Sequence, residues 1–206
     1  TDRLTRQGGG LCSGIPVPEI GLRIIADRWG TPLSAADLQS LPDSQAGEII
    51  VSGDHVLRGY LDGLGDSETK IHDGAKVWHR TGDAGWLDPQ GRVWLLGRCA
   101  EKLPPFPAVE GLPADSLRYP FAIECALREI HPGIRMAAME WEGLRTLVVG
   151  KSCDAAESAA IRHSAASFGI TSVIHLHAIP LDRRHNAKID YPALRQLLEN
   201  EKPRTD

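Results

Sequence analysis

The stretch WHRTGDAGWLDPQGRVWLLGR, residues 78–98, holds the side chains best suited to chemistry. In Thr81-Gly82-Asp83 the glycine lets the backbone come close to a ligand, and an ionised Asp83 can accept hydrogen bonds from two neighbouring hydroxyls at once. A ribose presents such a pair of hydroxyls. Fifteen residues later Gly97-Arg98 ends a predicted strand, and a guanidinium there can donate to the same sugar or to a phosphate. A third group lies in LDRRHNAKIDYPALRQLL, residues 181–198, where a tight polar loop presents Lys188 just before an Ile189-Asp190 step and a closing helix. Taken singly these are a turn aspartate, a surface arginine and a solvated loop lysine. Only as a set do they point to a site.

The elements that must position them come from the rest of the chain. With 206 residues, 42% hydrophobic and 24% charged, the chain can bury a real core, sits between one domain and two, and is globular rather than disordered. A net charge of −4, with no basic cluster interleaved with aromatics, argues against a hold on nucleic acid and for a small-molecule ligand. The apolar runs, such as Leu147-Val148-Val149, are too short to span a bilayer and no signal segment opens the chain, so a cytoplasmic protein is expected. Cys12, Cys99, Cys125 and Cys153 are scattered without a C-x-x-C pair, which fits reduced thiols. The chain opens Thr-Asp-Arg without Met, which suggests a piece of something longer.

Residues 1–97 are β-rich and turn-rich, with strands expected at Leu22-Ile25, Glu48-Ser52 and Val93-Leu96 between Gly, Pro and Asp clusters. From about residue 120 Ile123, Ala126, Leu127 and Ile130 mark a helical face, and Asp154 with Glu157 makes a capping-box-like start to a second helix that Gly169 could end. Strands are expected at residues 134–140, 144–150 and 172–178, and Leu194, Leu197 and Leu198 mark the last helix. Between the halves KLPPFPAVEGLP carries four prolines in twelve residues and can be neither helix nor central strand. The reading is α/β (α+β): a β-rich unit at 1–97, a hinge and proline-rich linker at 98–119, and a small α/β domain at 120–206. His175 and His177 would share a face of the last strand, but a third metal ligand is not evident and no metal site is expected. Trp78, Trp86 and Trp94, eight residues apart, suggest strand packing.

The segments GEIIVSGDHVLRGYLDG, HRTGD, GR and NAKID stand in the order and approximate spacing seen in the AMP-forming acyl and aryl ligases, adenylation domains and luciferases, and the chain resembles the C-terminal part of that superfamily. The resemblance implies that Asp83 binds the ribose of ATP, that Arg98 approaches the same ribose at an inter-domain hinge, and that Lys188 on a small mobile domain serves adenylation. It implies ATP and Mg2+, bound mainly by an N-terminal part of the same ligase, a small-molecule carboxylate substrate, and coenzyme A in many members. The phosphate loop and the aromatic-x-x-T-E segment of that family should precede residue 1. QGGGLCSGIPVP, residues 7–18, resembles the stretch after it, so Gly8, Gly9 and Gly10 are expected in a turn and not at a phosphate.

At the hinge the chain departs from the family pattern: GRCAEKLPPFPAVEG puts Ala100 at the position of the family's hinge acid, with Glu101 beside it. With RHNAKI, this looks most like the branch that includes olefin-pathway β-lactone synthetases, in which a β-hydroxy acid is captured by its own hydroxyl. Fatty acyl-CoA ligase chemistry stands close behind. The other class of function is a non-catalytic scaffold or interaction module that kept the fold. Retention of Asp83, Arg98 and Lys188 favours the enzyme.

Overall fold

The computed structural model describes residues 2–151, 153–182, 188–200 and 204–205. In chain order the elements are α1 (Asp2–Arg6), β1 (Leu11–Gly14), β2 (Gly21–Ile25), β3 (Gly47–Ser52), α2 (Asp66–Thr69), β4 (Lys70–Asp73), β5 (Lys76–Leu87), β6 (Val93–Arg98), α3 (Pro120–Ile130), β7 (Met136–Trp141), β8 (Leu144–Val149), α4 (Ala155–Ala166), β9 (Ser172–His175), α5 (Tyr191–Asn200) and β10 (Arg204–Thr205). The architecture is mixed α/β. Among the described residues, a six-stranded antiparallel sheet runs β1-β6-β5-β3-β2 with β4 against β5, and a four-stranded sheet runs β10-β9-β8-β7. No helix among the described residues is long and apolar enough to cross a membrane.

The long β5 organises the first sheet, since its two halves pair with β4 and β6 and its other edge with β3. The β5–β6 hairpin closes on Asp88-Pro89-Gln90-Gly91, as its turn residues predict. Burial raises the Asp88 carboxyl, but bonds from the Trp94 indole, Arg92 and the Gln90 N–H outweigh it and bring it down to about 2. Trp86 and Trp94 face each other across the hairpin with ring centroids 5.4 Å apart, and both, with Trp78, are buried. The expected packing role of these indoles is the observed one. The glycine stretch is packed just as closely: a Cβ on Gly10, at φ +91, would stand 2.3 Å from the Leu95 carbonyl oxygen, and the Gly9 carbonyl accepts from the Trp86 indole at 2.9 Å.

The second sheet is covered on both faces, so its strands are apolar on both. Successive residues of a strand point to opposite faces: Met136 and Ala138 of β7 join Leu147 and Val149 of β8 under α3 and α4, while Ala137, Met139 and Val148 lie under Leu194 and Leu198 of α5. Strands β8 and β9 are parallel, which requires a crossover, and α4 supplies it. Asp154 caps α4 by accepting from the Glu157 N–H at 2.8 Å.

Some boundaries differ from expectation. The last expected strand stops at His175, because Leu176 and Ile179 turn into the α5-side core and Pro180 has no N–H to continue a ladder. His177 therefore lies outside the strand, and His175 faces Ser158 Oγ at 3.0 Å instead of a metal partner. Strand β7 starts at Met136, two residues later than expected. The proline-rich segment has neither helix nor central strand over 102–109, and its first residues are anchored while residues 107–111 are exposed. Leu103 is buried and donates to the Arg118 carbonyl at 2.7 Å. The buried Arg145 of β8 donates to the carbonyls of Pro104, Leu117 and Phe168 at 2.6, 2.8 and 2.9 Å, with Phe106 against its guanidinium.

Candidate functional site

The Thr-Gly-Asp turn is built from below. Arg80, one residue before it, is buried in the sheet and meets the buried Glu48 of β3 through three contacts of 3.1, 3.1 and 2.7 Å. It also donates to the Thr31 carbonyl at 2.7 Å, which ties an adjoining loop to the strand. Burial pushes the Glu48 carboxyl up, and the Arg80 bonds oppose it. The Thr81 hydroxyl donates to the Ile49 carbonyl at 2.7 Å and accepts from the Asp83 N–H at 3.0 Å. Gly82 has φ +69 and lies on Trp29, whose ring would stand 2.8 Å from a Cβ. A left-handed glycine over an indole fits sterically where a larger residue does not.

Asp83 pairs directly with Arg98 across β5 and β6. Arg98 Nη1 lies 3.1 Å from Asp83 Oδ1 and donates to the Thr81 carbonyl at 3.2 Å. Gly97, at φ +138, brings the end of β6 against Phe121 at the start of α3, so that β6 and α3 make a common wall. That wall borders a cavity of about 630 Å3. Asp83 and Arg98 line it from the first sheet, Glu124 of α3 from the second, and Lys188, Ile189 and Tyr191 from the segment leading into α5. The three residues picked out by chemistry in the sequence thus meet in one cavity. Burial raises the Asp83 carboxyl, while Arg98 and Lys188 draw it back down. A partly exposed carboxylate between two cations, at the rim of a pocket with apolar walls such as Leu95, Phe121 and Met136, can accept hydroxyls while the cations receive anionic oxygens.

The sequence motif RHNAKI falls in part on residues 183–187, outside the described residues. Around it, Asp182 N–H donates to the Lys188 carbonyl at 2.9 Å and Asp190 N–H to the Pro180 carbonyl at 3.0 Å, and Leu181 bridges Ile189. Asp190 then caps α5 by accepting from Ala193 N–H at 3.0 Å.

Sequence reasoning named Glu101 without a partner and missed Glu124. Glu101 forms an ion pair with Arg195 of α5, so the acid beside the substituted hinge position is bonded to the helix that follows Lys188. Its neighbour Lys102 pairs at 2.9 Å with Asp27, just beyond β2. Glu124 Oε1 accepts from the Tyr191 hydroxyl and, at 3.0 Å, from the Ala138 N–H. Burial pushes Glu124 up to about 7, against the pull of those bonds and of Arg128. Partners this far apart in sequence leave no local signal. Among the described residues no three His, Cys, Asp or Glu side chains stand together as a metal site.

No family model matches the chain. It is 28% identical over 212 residues to the olefin β-lactone synthetase of Stenotrophomonas maltophilia, covering 92% of this chain and 36% of that protein. It is 31% identical over 130 residues to the 2-succinylbenzoate–CoA ligase of Enterococcus faecalis, covering 63% of this chain and 22% of the ligase. ATP-bound MatB from Rhodopseudomonas palustris shares the fold with a TM-score of 0.65 and 23% identity, over 93% of this chain and 36% of its own. These relatives and neighbours are AMP-forming ligases, matched in their C-terminal part. The chain spans about a third of the length of the synthetase, 36%.

Proposed function

Because the chain is a relative of the C-terminal part of the AMP-forming ligases, we propose that it carries the adenylation groups of an ATP-dependent acid ligase. The observation that supports this is the meeting of Asp83, Arg98 and Lys188 in one cavity. In this reading Asp83 accepts the two ribose hydroxyls, Arg98 stays paired with Asp83 and donates toward the sugar, and Lys188 approaches the α-phosphate. As the substrate carboxylate attacks, negative charge gathers on the phosphate and leaving oxygens, and an ammonium held in a dehydrated cleft stabilises that charge more than it does the ground state. Pyrophosphate leaves and an acyl-adenylate remains.

Among the described residues the acids near the cavity are already engaged and do not gather as a magnesium site: Asp83 faces Arg98, Glu101 faces Arg195 and Glu124 faces Tyr191. We therefore leave Mg2+ and the triphosphate to an N-terminal part of the ligase, and place a hinge at 98–119 between the β-rich unit of 1–97 and a small domain of 120–206. The substrate is proposed to be a fatty or β-hydroxy fatty carboxylate, on the strength of the synthetase relative. The second step passes the acyl group to coenzyme A or to the substrate's own hydroxyl, closing a β-lactone. A cytoplasmic setting suits four free cysteines and a need for ATP.

The test is pyrophosphate–ATP exchange by the complete gene product with fatty and β-hydroxy fatty acids. Asp83→Ala should lower kcat/KM for ATP by the equivalent of about 1.5–3 kcal/mol, the scale of a hydrogen bond to a charged group. An unchanged value would remove Asp83 from the nucleotide site. Absence of exchange with every acid would favour the scaffold reading. The 206-residue chain alone is expected to release no pyrophosphate, since a triphosphate needs a preorganised cradle it does not carry.

A further inference from the structure

Lys188 is only as useful as its placement is exact, and the bonds that frame its segment run to its own preceding leg, Pro180 to Asp182, and to the first turn of α5. Those bonds shape the segment. They do not fix it against the cavity wall that α3 and β7 provide.

Tyr191 does. It is the first residue of α5, three after Lys188, and its hydroxyl donates to Glu124 Oε1 on α3. The same carboxylate oxygen accepts from the Ala138 N–H of β7 at 3.0 Å. One side-chain atom therefore joins three elements of the small sheet's unit, on the wall of the cavity that Lys188 lines. A packing role alone would be served by an apolar residue at either position, at lower cost than a half-buried carboxyl facing a phenol. Building on the adenylation reading above, we propose that Glu124 and Tyr191 are positioning residues, a latch that fixes the Lys188 segment against α3 and β7 so that its ammonium arrives in register. They act through Lys188.

The latch makes two predictions that differ in what they depend on. Hydrogen exchange needs no activity: in Tyr191→Phe and Glu124→Ala, amides of residues 188–194 should exchange several-fold faster than in the wild-type gene product, while those of residues 79–87 stay unchanged. Glu124→Gln keeps a carbonyl oxygen able to accept both bonds and should restore protection. In activity, Tyr191→Phe and Glu124→Ala should lower adenylation kcat about 10–100-fold, the scale of a misplaced catalytic group, with little change in KM for ATP. Turnover of presynthesised acyl-adenylate should stay within about twofold of wild type, a split that general loosening of the fold would not produce.

If Glu124→Ala does not fold, Tyr191→Phe, which loses a single hydroxyl, carries the test. Unchanged exchange at 188–194 in a folded Tyr191→Phe protein overturns the latch whatever the activity. Equal loss in both half-reactions also overturns it. If exchange quickens but Lys188→Ala leaves adenylation untouched, the latch stands as structure and the adenylation reading is what fails.

Discussion

The two ends of the cavity are built in different ways. Asp83 rides on a long strand paired on both edges, above a buried Arg80–Glu48 ion pair and a hydroxyl that bonds on both sides of the turn. Lys188 rides on a return that, among the described residues, is held by backbone bonds, a bridge, a helix cap and side-chain ties from Tyr191 and Arg195 of the helix that follows. A group that holds a ground-state ligand gains from a rigid seat, whereas a group used for one step gains from a seat that can be made and released. On the adenylation reading proposed above, the same cavity draws binding from a sheet and rate from a loop, and each half can be broken separately.

The largest effect should come from the seat of Asp83. Removing one partner of a buried ion pair leaves an unpaired charge, so Arg80→Ala should cost about 3–5 kcal/mol in urea denaturation, with the first sheet melting first. Arg80→Ala together with Glu48→Ala should cost less than the sum of the two single changes. Strict additivity would mean that the pair does not work as a unit.

On the other side, Lys188→Ala should leave stability nearly untouched, because the residue is exposed, while lowering adenylation about 10²–10³-fold, the scale for losing one preorganised donor. Binding of ATP should suffer much less. Equal loss of stability would make Lys188 a structural residue and erase the contrast between the two seats.

The anchor of the lysine's side can also be read through pH. Glu124 has its folded value raised to about 7, from an ordinary value of 4.5, because burial disfavours the charged form. A raised acid contributes stability that is fully present below its unfolded value and lost as pH rises through its folded value. Wild type should therefore lose stability relative to Glu124→Gln between about pH 4.5 and 7, by on the order of 3 kcal/mol. A flat difference over that window would mean that Glu124 is better hydrated than its surroundings suggest.

Much of the fold was legible because it is written locally. The apolar stretch at Glu48–Ser52, the helical face of Ile123, Ala126 and Leu127 and the Asp154 cap are all properties of neighbours, and the elements stand where those patterns put them. Asp83, Arg98 and Lys188 were legible as chemistry by residue type and by order along the chain, though their meeting in one cavity is a fact of tertiary structure. What escaped was long-range polar pairing. Glu48 with Arg80, Glu101 with Arg195, Glu124 with Tyr191 and Arg145 with the proline-rich segment each join residues far apart in sequence, and a Glu in a strand or helix looks the same whether solvated or paired. The hydropathy of the flanking residues, which placed the strands, carries no information about such partners.

The smallest effect should sharpen the contrast most finely. Asp190 stands two residues after Lys188, and its carboxylate accepts from the Ala193 N–H, one of the donors that the first turn of α5 leaves without a helical partner. Its backbone N–H bond to Pro180 would survive a side-chain change. Asp190→Ala should therefore cost about 1 kcal/mol, the usual worth of a cap, measured by denaturation, and Asp190→Asn should cost only a fraction of that because an amide oxygen can still accept. Adenylation should fall a few-fold, far less than in Lys188→Ala, since a frayed first turn shifts the lysine without removing it. A few-fold loss confined to adenylation would place Asp190 with the release side of the comparison. If instead Asp190→Ala matches Lys188→Ala in rate while stability is unchanged, the carboxylate acts on the substrate itself, and the segment is a second binding seat like that of Asp83.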